Sequence, residues 1–549
     1  MLLKGIDISK SYGDRLLIHF PQLMIYEGEH IGLTGLNGSG KTTLLKILMG
    51  EIEPDEGFIE RKCTISYFSQ LETKERRYNG NGELLSQWKV SEKFNQDNLS
   101  GGEETRVRLA QTLSQNAHIL FLDEPTSNLD IDGIQLLKEQ LKEVSTFVLI
   151  SHDRNLLDAL CNRIIEIRDK KLYFYMGNYS EYQSIKDENI RRQWREYENY
   201  IDEKNRLEDI YRAKKQDAVK LGKKTIYKNP SDAKVKNLLS KRKIDTKQKN
   251  AERLAKSVLS RIEHLDKKEK PIKEAIIRPD FQLTNPPKNK IVIRGYGMDF
   301  SYGRHEIFKE AEFAIPNGAK VGIVGKNGSG KTTLLDLIVN EQAGIRNVPK
   351  AKIGYFHQNF ENIDFNKTVF ENIMSNSVQN ETISRNILSR MLFSTEDLKK
   401  TAAVLSGGER IKLALAKLFV SDCNILLLDE PTNYLDIPSI ESLQNMLKLF
   451  EGTILFVSHD RTLIDMVATD LLMIEEGKIK LFHGNLSSFI QHKKSKRENK
   501  PNQMEILSCE MKLAQIANRM VKFPDEKQEL EIEYKKALER LEKIKLKGC

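Results

Sequence analysis

Two kinds of hydrophobic pattern alternate along this chain. Short, uninterrupted apolar runs predict buried strands: Ile31-Gly32-Leu33-Thr34, Ile119-Leu120-Phe121-Leu122 and Phe147-Val148-Leu149-Ile150, then Val321-Gly322-Ile323-Val324, Ile425-Leu426-Leu427-Leu428 and Ile454-Leu455-Phe456-Val457. Runs without polar alternation suit strands covered on both faces of a mostly parallel sheet. Thr43–Leu48 and Thr333–Ile338 read as helices that open straight after a glycine-rich loop. The middle of the chain reads differently. From about Tyr182 to Lys220 there is no Gly or Pro, and Ile190, Trp194, Tyr197, Ile201, Leu207 and Tyr211 recur at helical spacing. This predicts one helix of about 40 residues, on the order of 60 Å long. Gly222 and Pro230 interrupt it, and Ser231 or Asp232 can cap a second helix reaching about Lys268. Leu238, Leu239, Leu254, Val258, Ile262 and Leu265 form the expected stripe of that helix, and Pro271, Pro279, Pro286 and Pro287 end it. Two helices with a shared apolar seam predict an antiparallel hairpin. Past Gln491, Leu530, Tyr534, Leu538, Leu541 and Ile544 suggest a helical tail.

Composition narrows the class. A chain of 549 residues is long enough for about three or four domains. No apolar run reaches the roughly 18 residues of a membrane span, and the first residues lack the basic and apolar regions of a secretory signal. Cys63, Cys161, Cys423, Cys509 and Cys549 are scattered and odd in number, with no CxxC pair. That argues against a disulfide framework or a zinc site and for a reducing, cytoplasmic setting. The net charge of +9 is unevenly spread: residues 211–260 hold 16 Lys and Arg against 4 Asp and Glu. The central segment alone therefore exceeds the total, and it points to a polyanionic partner there. The tail is more balanced, with 15 basic and 10 acidic residues.

The chain also repeats itself at a period of about 300 residues. Gly35-Leu36-Asn37-Gly38-Ser39-Gly40-Lys41-Thr42-Thr43 returns as Gly325-Lys326-Asn327-Gly328-Ser329-Gly330-Lys331-Thr332-Thr333. Strand, glycine-rich loop and helix together make a phosphate cradle: backbone N–H groups and the helix N-terminus face the anion. Lys41 and Lys331 add charge at the β- and γ-phosphates, and Thr42 and Thr332 suit Mg²⁺. Asp123 and Asp429 end apolar strands and suit the same metal shell. Glu124 and Glu430 follow them. Alone, such an acidic pair could equally cap the helix after Pro125 or Pro431; beside a phosphate loop it suits polarising an attacking water. His152 and His459 each follow an apolar strand. One such histidine is ordinarily structural, but two in register with the other motifs read as γ-phosphate contacts.

Leu99-Ser100-Gly101-Gly102-Glu103 and Leu405-Ser406-Gly407-Gly408-Glu409 complete the set. In this order the motifs resemble the ATP-binding cassette ATPases. The resemblance implies an α/β fold with two P-loop cassettes, at residues 1–182 and 288–490, joined by a helical linker at 183–287 and followed by a charged tail at 491–549. It also implies that Tyr12 and Tyr302 stack on adenine, and that Gln70 and Gln358 sit near Mg²⁺ and water. One ATP is expected between Lys41, Asp123 and Glu124 on one side and Ser406, Gly407 and Gly408 on the other. The second is expected between Lys331, Asp429 and Glu430 and Ser100, Gly101 and Gly102. Such a head-to-tail sandwich is intramolecular, so a monomer suffices.

Tandem cassettes in one chain without a membrane span are similar to the ABC-F group, and Gly177-Asn178-Tyr179-Ser180 leading into the linker fits that group. The resemblance implies a cytoplasmic protein acting on the bacterial 70S ribosome. It would enter the E site and reach toward 23S rRNA, P-site tRNA and the peptidyl-transferase centre with the linker tip. Lys223, Lys224, Ile226, Tyr227 and Lys228 form that tip: cations for phosphates and an aromatic for a base. Read without the family, the tip could be the solvated end of a charged coiled coil. The expected activity is displacement of bound antibiotics, in the manner of Vga and Lsa proteins. Gln70 and Ser100 stand only 30 positions apart, against 48 between Gln358 and Ser406, which leaves little room for an arm insertion in the first copy. The stretch Trp88-Lys89-Val90 resembles the same proteins. A housekeeping elongation factor is the alternative within the group. The ATPase subunit of a membrane transporter is the alternative of another class, and it has no use for the basic hairpin.

Overall fold

A computed structural model describes residues 1–69, 82–90, 99–223, 233–268, 287–357 and 362–493, with a few positions of the tail. The chain divides into two compact units, Met1–Tyr175 with Ile277–Cys549, and Met176–Ile276.

The first unit contains the same architecture twice. In the first copy, strands at Ile65–Phe68, Ile119–Asp123, Phe147–Ile150, His30–Gly35, Arg163–Arg168 and Lys171–Met176 lie in that order in one sheet. The first five run parallel. In the second copy the order is Ile353–Phe356, Ile425–Asp429, Thr453–Val457, Lys320–Gly325, Asp470–Glu475 and Lys478–His483, with the last strand antiparallel. The apolar runs take central positions because both faces of the strand are covered. Ile425 and Leu427 join one hydrophobic core, with Leu334, Leu335 and Ile338 of the phosphate-loop helix; Leu426 and Leu428 join another, with Leu413, Leu443 and Leu447. Successive side chains of a strand point to opposite faces, so one five-residue strand serves two cores.

A smaller three-stranded antiparallel sheet covers each copy: Arg15–Ile25, Leu3–Tyr12 and Glu56–Arg61 in the first, His305–Pro316, Ile291–Tyr302 and Ile345–Asn347 in the second. Ile8, Ile18 and Phe20 of the first small sheet pack with Leu44, Leu45 and Leu48 of the phosphate-loop helix. Before the second signature lie helices Val369–Met374 and Glu381–Arg390. Among the described residues the first copy has one short helix there, Gly82–Gln87, followed by Trp88, which is fully buried. Trp88 is thus a core residue of its cassette.

The second unit is a helical hairpin of Tyr179–Lys223 and Ala233–Glu263. The first helix, with 45 residues, is about 68 Å long at 1.5 Å per residue. Lys268 Nζ lies 3.5 Å from Glu196 Oε2, as antiparallel pairing requires. The seam differs in detail from the sequence expectation. Leu207 is buried as expected, but Leu254 is 54% exposed and its neighbour Ala255 is buried instead. The observed inner face steps through Ala255, Val258, Ile262 and Leu265, which leaves Leu254 about 100° away. Ile190 is likewise exposed. Of the expected tip, Lys224, Ile226, Tyr227 and Lys228 lie outside the described residues; Lys223 ends the first helix.

Candidate functional site

The strand His30–Gly35 delivers the chain into the first phosphate loop, and helix Lys41–Met49 leaves it. Gly40 turns the corner at φ +98°, a left-handed conformation that glycine adopts without cost, and a Cβ there would touch Leu17. Gly330 does the same at +94° with Ile307 behind it. Gly38 and Gly328 also take positive φ, with open space on the Cβ side. Lys41 Nζ donates to the carbonyls of Gly35 and Leu36 at 2.9 and 3.1 Å; Lys331 Nζ donates to those of Gly325 and Lys326, both at 3.1 Å. Burial lowers the pKa of both ammonium groups. The Ser39 and Ser329 hydroxyls are buried within their loops without a hydrogen-bond partner. An unsatisfied buried hydroxyl and a ring of backbone N–H groups suit a phosphate ligand. Thr43 and Thr333 follow in the first helical turn.

The next strand supplies the acids. Thr42 Oγ1 donates to Asp123 Oδ2 at 2.6 Å, and Thr332 is hydrogen-bonded to Asp429 in the same way. Hydroxyl and carboxylate oxygens side by side form the donor set a hard divalent cation takes. Glu124 and Glu430 lie just beyond the strand, at φ +50° and +47°. A non-glycine residue in that region is strained, which is common where geometry serves function. Burial pushes Glu124 up to about 8 and Glu430 up to about 7, with Lys41 and Lys331 acting in the opposite direction. The backbone N–H of His152 donates to Glu124 Oε2 at 3.3 Å, and that of His459 to Glu430 Oε2 at 3.2 Å. His152 Nε2 lies 3.2 Å from Glu124 Oε1, and His459 Nε2 lies 3.3 Å from Glu430 Oε1. Burial lowers the two imidazoles to about 3 and about 4, so both stay neutral at pH 7.

The two copies meet head to tail within the first unit. Asn37 N–H donates to Asp436 Oδ2 at 2.9 Å, and its amide donates to the Tyr434 carbonyl at 2.7 Å. Asn327 Nδ2 donates to the Asn128 carbonyl at 2.9 Å. The second glycine of each signature explains itself here: a Cβ on Gly408 would sit 2.9 Å from Asn37 Nδ2, and one on Gly102 would sit 2.3 Å from Asn327 Nδ2. Ser100 and Ser406 cap the signature helices Gly101–Leu113 and Gly407–Val420 in reciprocal boxes with Glu103 and Glu409. A cavity of about 740 Å³ is lined by Lys41, Asp123, Glu124 and His152 from one copy and by Ser406, Gly407 and Gly408 from the other. Tyr12 lies on its wall and is 54% exposed, while Tyr302 is 58% exposed. Gln70 and Gln358 lie outside the described residues.

Two arginines that cross between the copies were not among the expected site residues. Arg154 Nη2 donates to the Ile437 carbonyl at 3.3 Å, and Arg461 Nη2 to the Ile131 carbonyl at 3.0 Å. The recurrence of Ser-His-Asp-Arg was the available signal, and the arginine was its unused part.

Comparison with known proteins agrees with this geometry. A family model described as ABC transporter matches residues 19–127 and 308–433. The erythromycin resistance ATP-binding protein MsrA of Staphylococcus epidermidis is 35% identical, over 85% of this chain and 96% of its own length. The ribosome protection protein VmlR of Bacillus subtilis is 30% identical, over 86% of each chain. Among solved structures, the complex of archaeal ribosomal stalk protein aP1 with ribosome recycling factor aABCE1 aligns with a TM-score of 0.59, covering 88% of this chain and 92% of that one. At 20% identity that likeness shows the fold. Relatives this similar along nearly their whole length, with both cassettes intact, place the chain in the ABC-F group of ATP-binding cassette proteins: it is an ATPase that binds ATP and hydrolyses it.

Proposed function

We propose that this ATPase is a cytoplasmic ribosome-protection factor: it binds the bacterial ribosome at the E site and uses its hairpin tip to displace antibiotics near the peptidyl-transferase centre. The observation that carries the reading is the union of two features in one chain: an ATP-dependent pair of cassettes and a central segment with 16 basic against 4 acidic residues. The names of MsrA and VmlR support it. So does a groove of about 390 Å³ on the first hairpin helix, lined by Arg212, Lys215 and Lys220 with Gln216 and Val219. Clustered cations of that kind suit an RNA backbone, with rRNA and P-site tRNA as the expected partners. Among the described residues no helix is long and apolar enough to cross a membrane.

The chemistry follows from the site. Thr42 with Asp123, and Thr332 with Asp429, would hold Mg²⁺, together with Gln70 and Gln358. A bound Mg²⁺ neutralises charge on the β- and γ-phosphate oxygens. Lys41 and Lys331 turn to the same phosphates, and the opposing signature serine and glycines close the cage from the far side. In their ionised forms, which the neighbouring Lys41 and Lys331 ammonium groups favour, Glu124 and Glu430 orient the attacking water and accept its proton as the bond from the γ-phosphorus to the bridging oxygen breaks. His152 and His459, held neutral, contact the γ-phosphate.

Expression in a drug-sensitive bacterium tests the reading against macrolides, lincosamides, streptogramins, pleuromutilins and phenicols. Resistance to at least one class is expected, and it should vanish with the Glu124→Gln, Glu430→Gln variant. Unchanged susceptibility to all five, with altered translation elongation, would favour a housekeeping factor.

A further inference from the structure

The two halves of the cassette interface are not equal. At each site a ring of contacts closes between the copies. In the first ring Asn37 N–H reaches Asp436, the next residue Ile437 accepts from Arg154, and Arg154 stands two positions beyond His152, whose N–H reaches Glu124. The second ring repeats this through Asn327, Asp130, Ile131, Arg461, His459 and Glu430. The rings touch where Asn155 Nδ2 donates to Thr462 Oγ1 at 3.0 Å. One contact exists in the first ring alone: Arg154 Nη1 pairs with Glu441 Oε1 at 3.0 Å. The corresponding position in the other copy is Gln135, which donates instead to Glu139 of its own helix at 2.9 Å.

We propose that Arg154 and Glu441 form a one-sided latch that keeps the Glu124 site closed after the Glu430 site has opened. Both partners lie in different cassettes, so the pair exists only when the cassettes face each other. Its whole interaction therefore favours the closed state. A partly exposed ion pair is worth a factor of about two to five in an equilibrium, so the latch biases the order of opening without locking it. Arg154 acts through the loop that carries His152, which makes it a positioning residue. The inference rests on the assignment of Glu124 and Glu430 to the two hydrolysis sites.

Steady-state ATP hydrolysis by the full chain at low salt tests it. Glu441→Gln should raise KM for ATP about two- to five-fold without lowering kcat, because the closed state opens sooner. Gln135→Glu gives Arg461 a carboxylate across the interface and should lower KM. Arg154→Glu should repeat the loss, and adding Glu441→Arg should restore KM to within about two-fold, which a purely structural role for Arg154 would not do. The Glu441→Gln effect should persist in a Glu430→Gln background and shrink in a Glu124→Gln background. An unchanged KM in Glu441→Gln, no rescue by the swapped pair, or equal effects in both backgrounds would overturn the latch. Undiminished hydrolysis in the Glu124→Gln, Glu430→Gln variant would overturn the site assignment instead.

Discussion

Glu124 and Glu430 stand in a left-handed backbone conformation, each a cost of order 1–3 kcal/mol that the surrounding structure must hold. Replacing both with Gln removes the proposed proton acceptors but keeps size and shape. Hydrolysis should fall by at least about 100-fold while ATP binding survives, read by single-turnover kinetics beside equilibrium binding. The histidines beside them make a pH prediction. His152 and His459 are depressed on folding from 6.5 to about 3 and about 4. A group depressed in this way stabilises the fold above pH 6.5 and loses that contribution as pH falls toward the folded value. Between pH 7 and 5 the loss is about 2 kcal/mol for each histidine. Glu124 and Glu430, raised on folding, act with the opposite sign: their contribution grows as pH falls from about 8 and about 7 toward 4.5. The two effects offset each other in the nucleotide-free protein. Exchanging both histidines for Gln should expose the imbalance: the variant gains on the original chain on going from pH 7 to 5, by up to about 4 kcal/mol in chemical unfolding. A constant difference across that range would contradict the assignment of buried neutral imidazoles.

Glycines at the signature helices show how elements constrain each other. Gly408 packs against the Tyr434 carbonyl and Asn37, and Gly102 against Asn327 and the Asn128 carbonyl. Alanine at both positions should leave each cassette folded and able to bind ATP, yet block the close approach, so hydrolysis is lost while the melting temperature changes little; retained hydrolysis would refute the head-to-tail contact. Such contacts were not readable from local pattern, because Asn37 and Tyr434 are 397 positions apart and the motif that holds Asn37 does not say what lies across from it. What was readable had strong local physics. Four apolar residues in a row, as in Ile425–Leu428, admit few fates besides a covered strand, and a glycine loop between strand and helix fixes its own geometry. Weak amphipathicity misled by one residue in the hairpin. Leu254 is larger than Ala255, but on a lightly packed helix the stripe is set by its neighbours at positions 258, 262 and 265 rather than by size. The tip is where the hairpin's function is argued to lie. Deleting residues around Ile226 and Tyr227 should abolish drug protection in cells and leave ATP hydrolysis unchanged in vitro; unchanged susceptibility would remove the tip from the mechanism.

At the scale of the whole molecule, ATP and the basic hairpin are proposed to act on one equilibrium. ATP is proposed to bind between the cassettes, and the closed pair to be the form that engages the ribosome. Binding that neutralises several RNA phosphates weakens steeply with salt. The most direct measurement is co-sedimentation of the purified Glu124→Gln, Glu430→Gln chain with 70S ribosomes, with and without ATP, across a salt series. The chain should pellet with ribosomes when ATP is present, stay in the supernatant without it, and release as salt rises. A chain that ignores ribosomes in both conditions, or binds equally with and without ATP, would contradict the proposal that ATP closure drives the hairpin onto RNA.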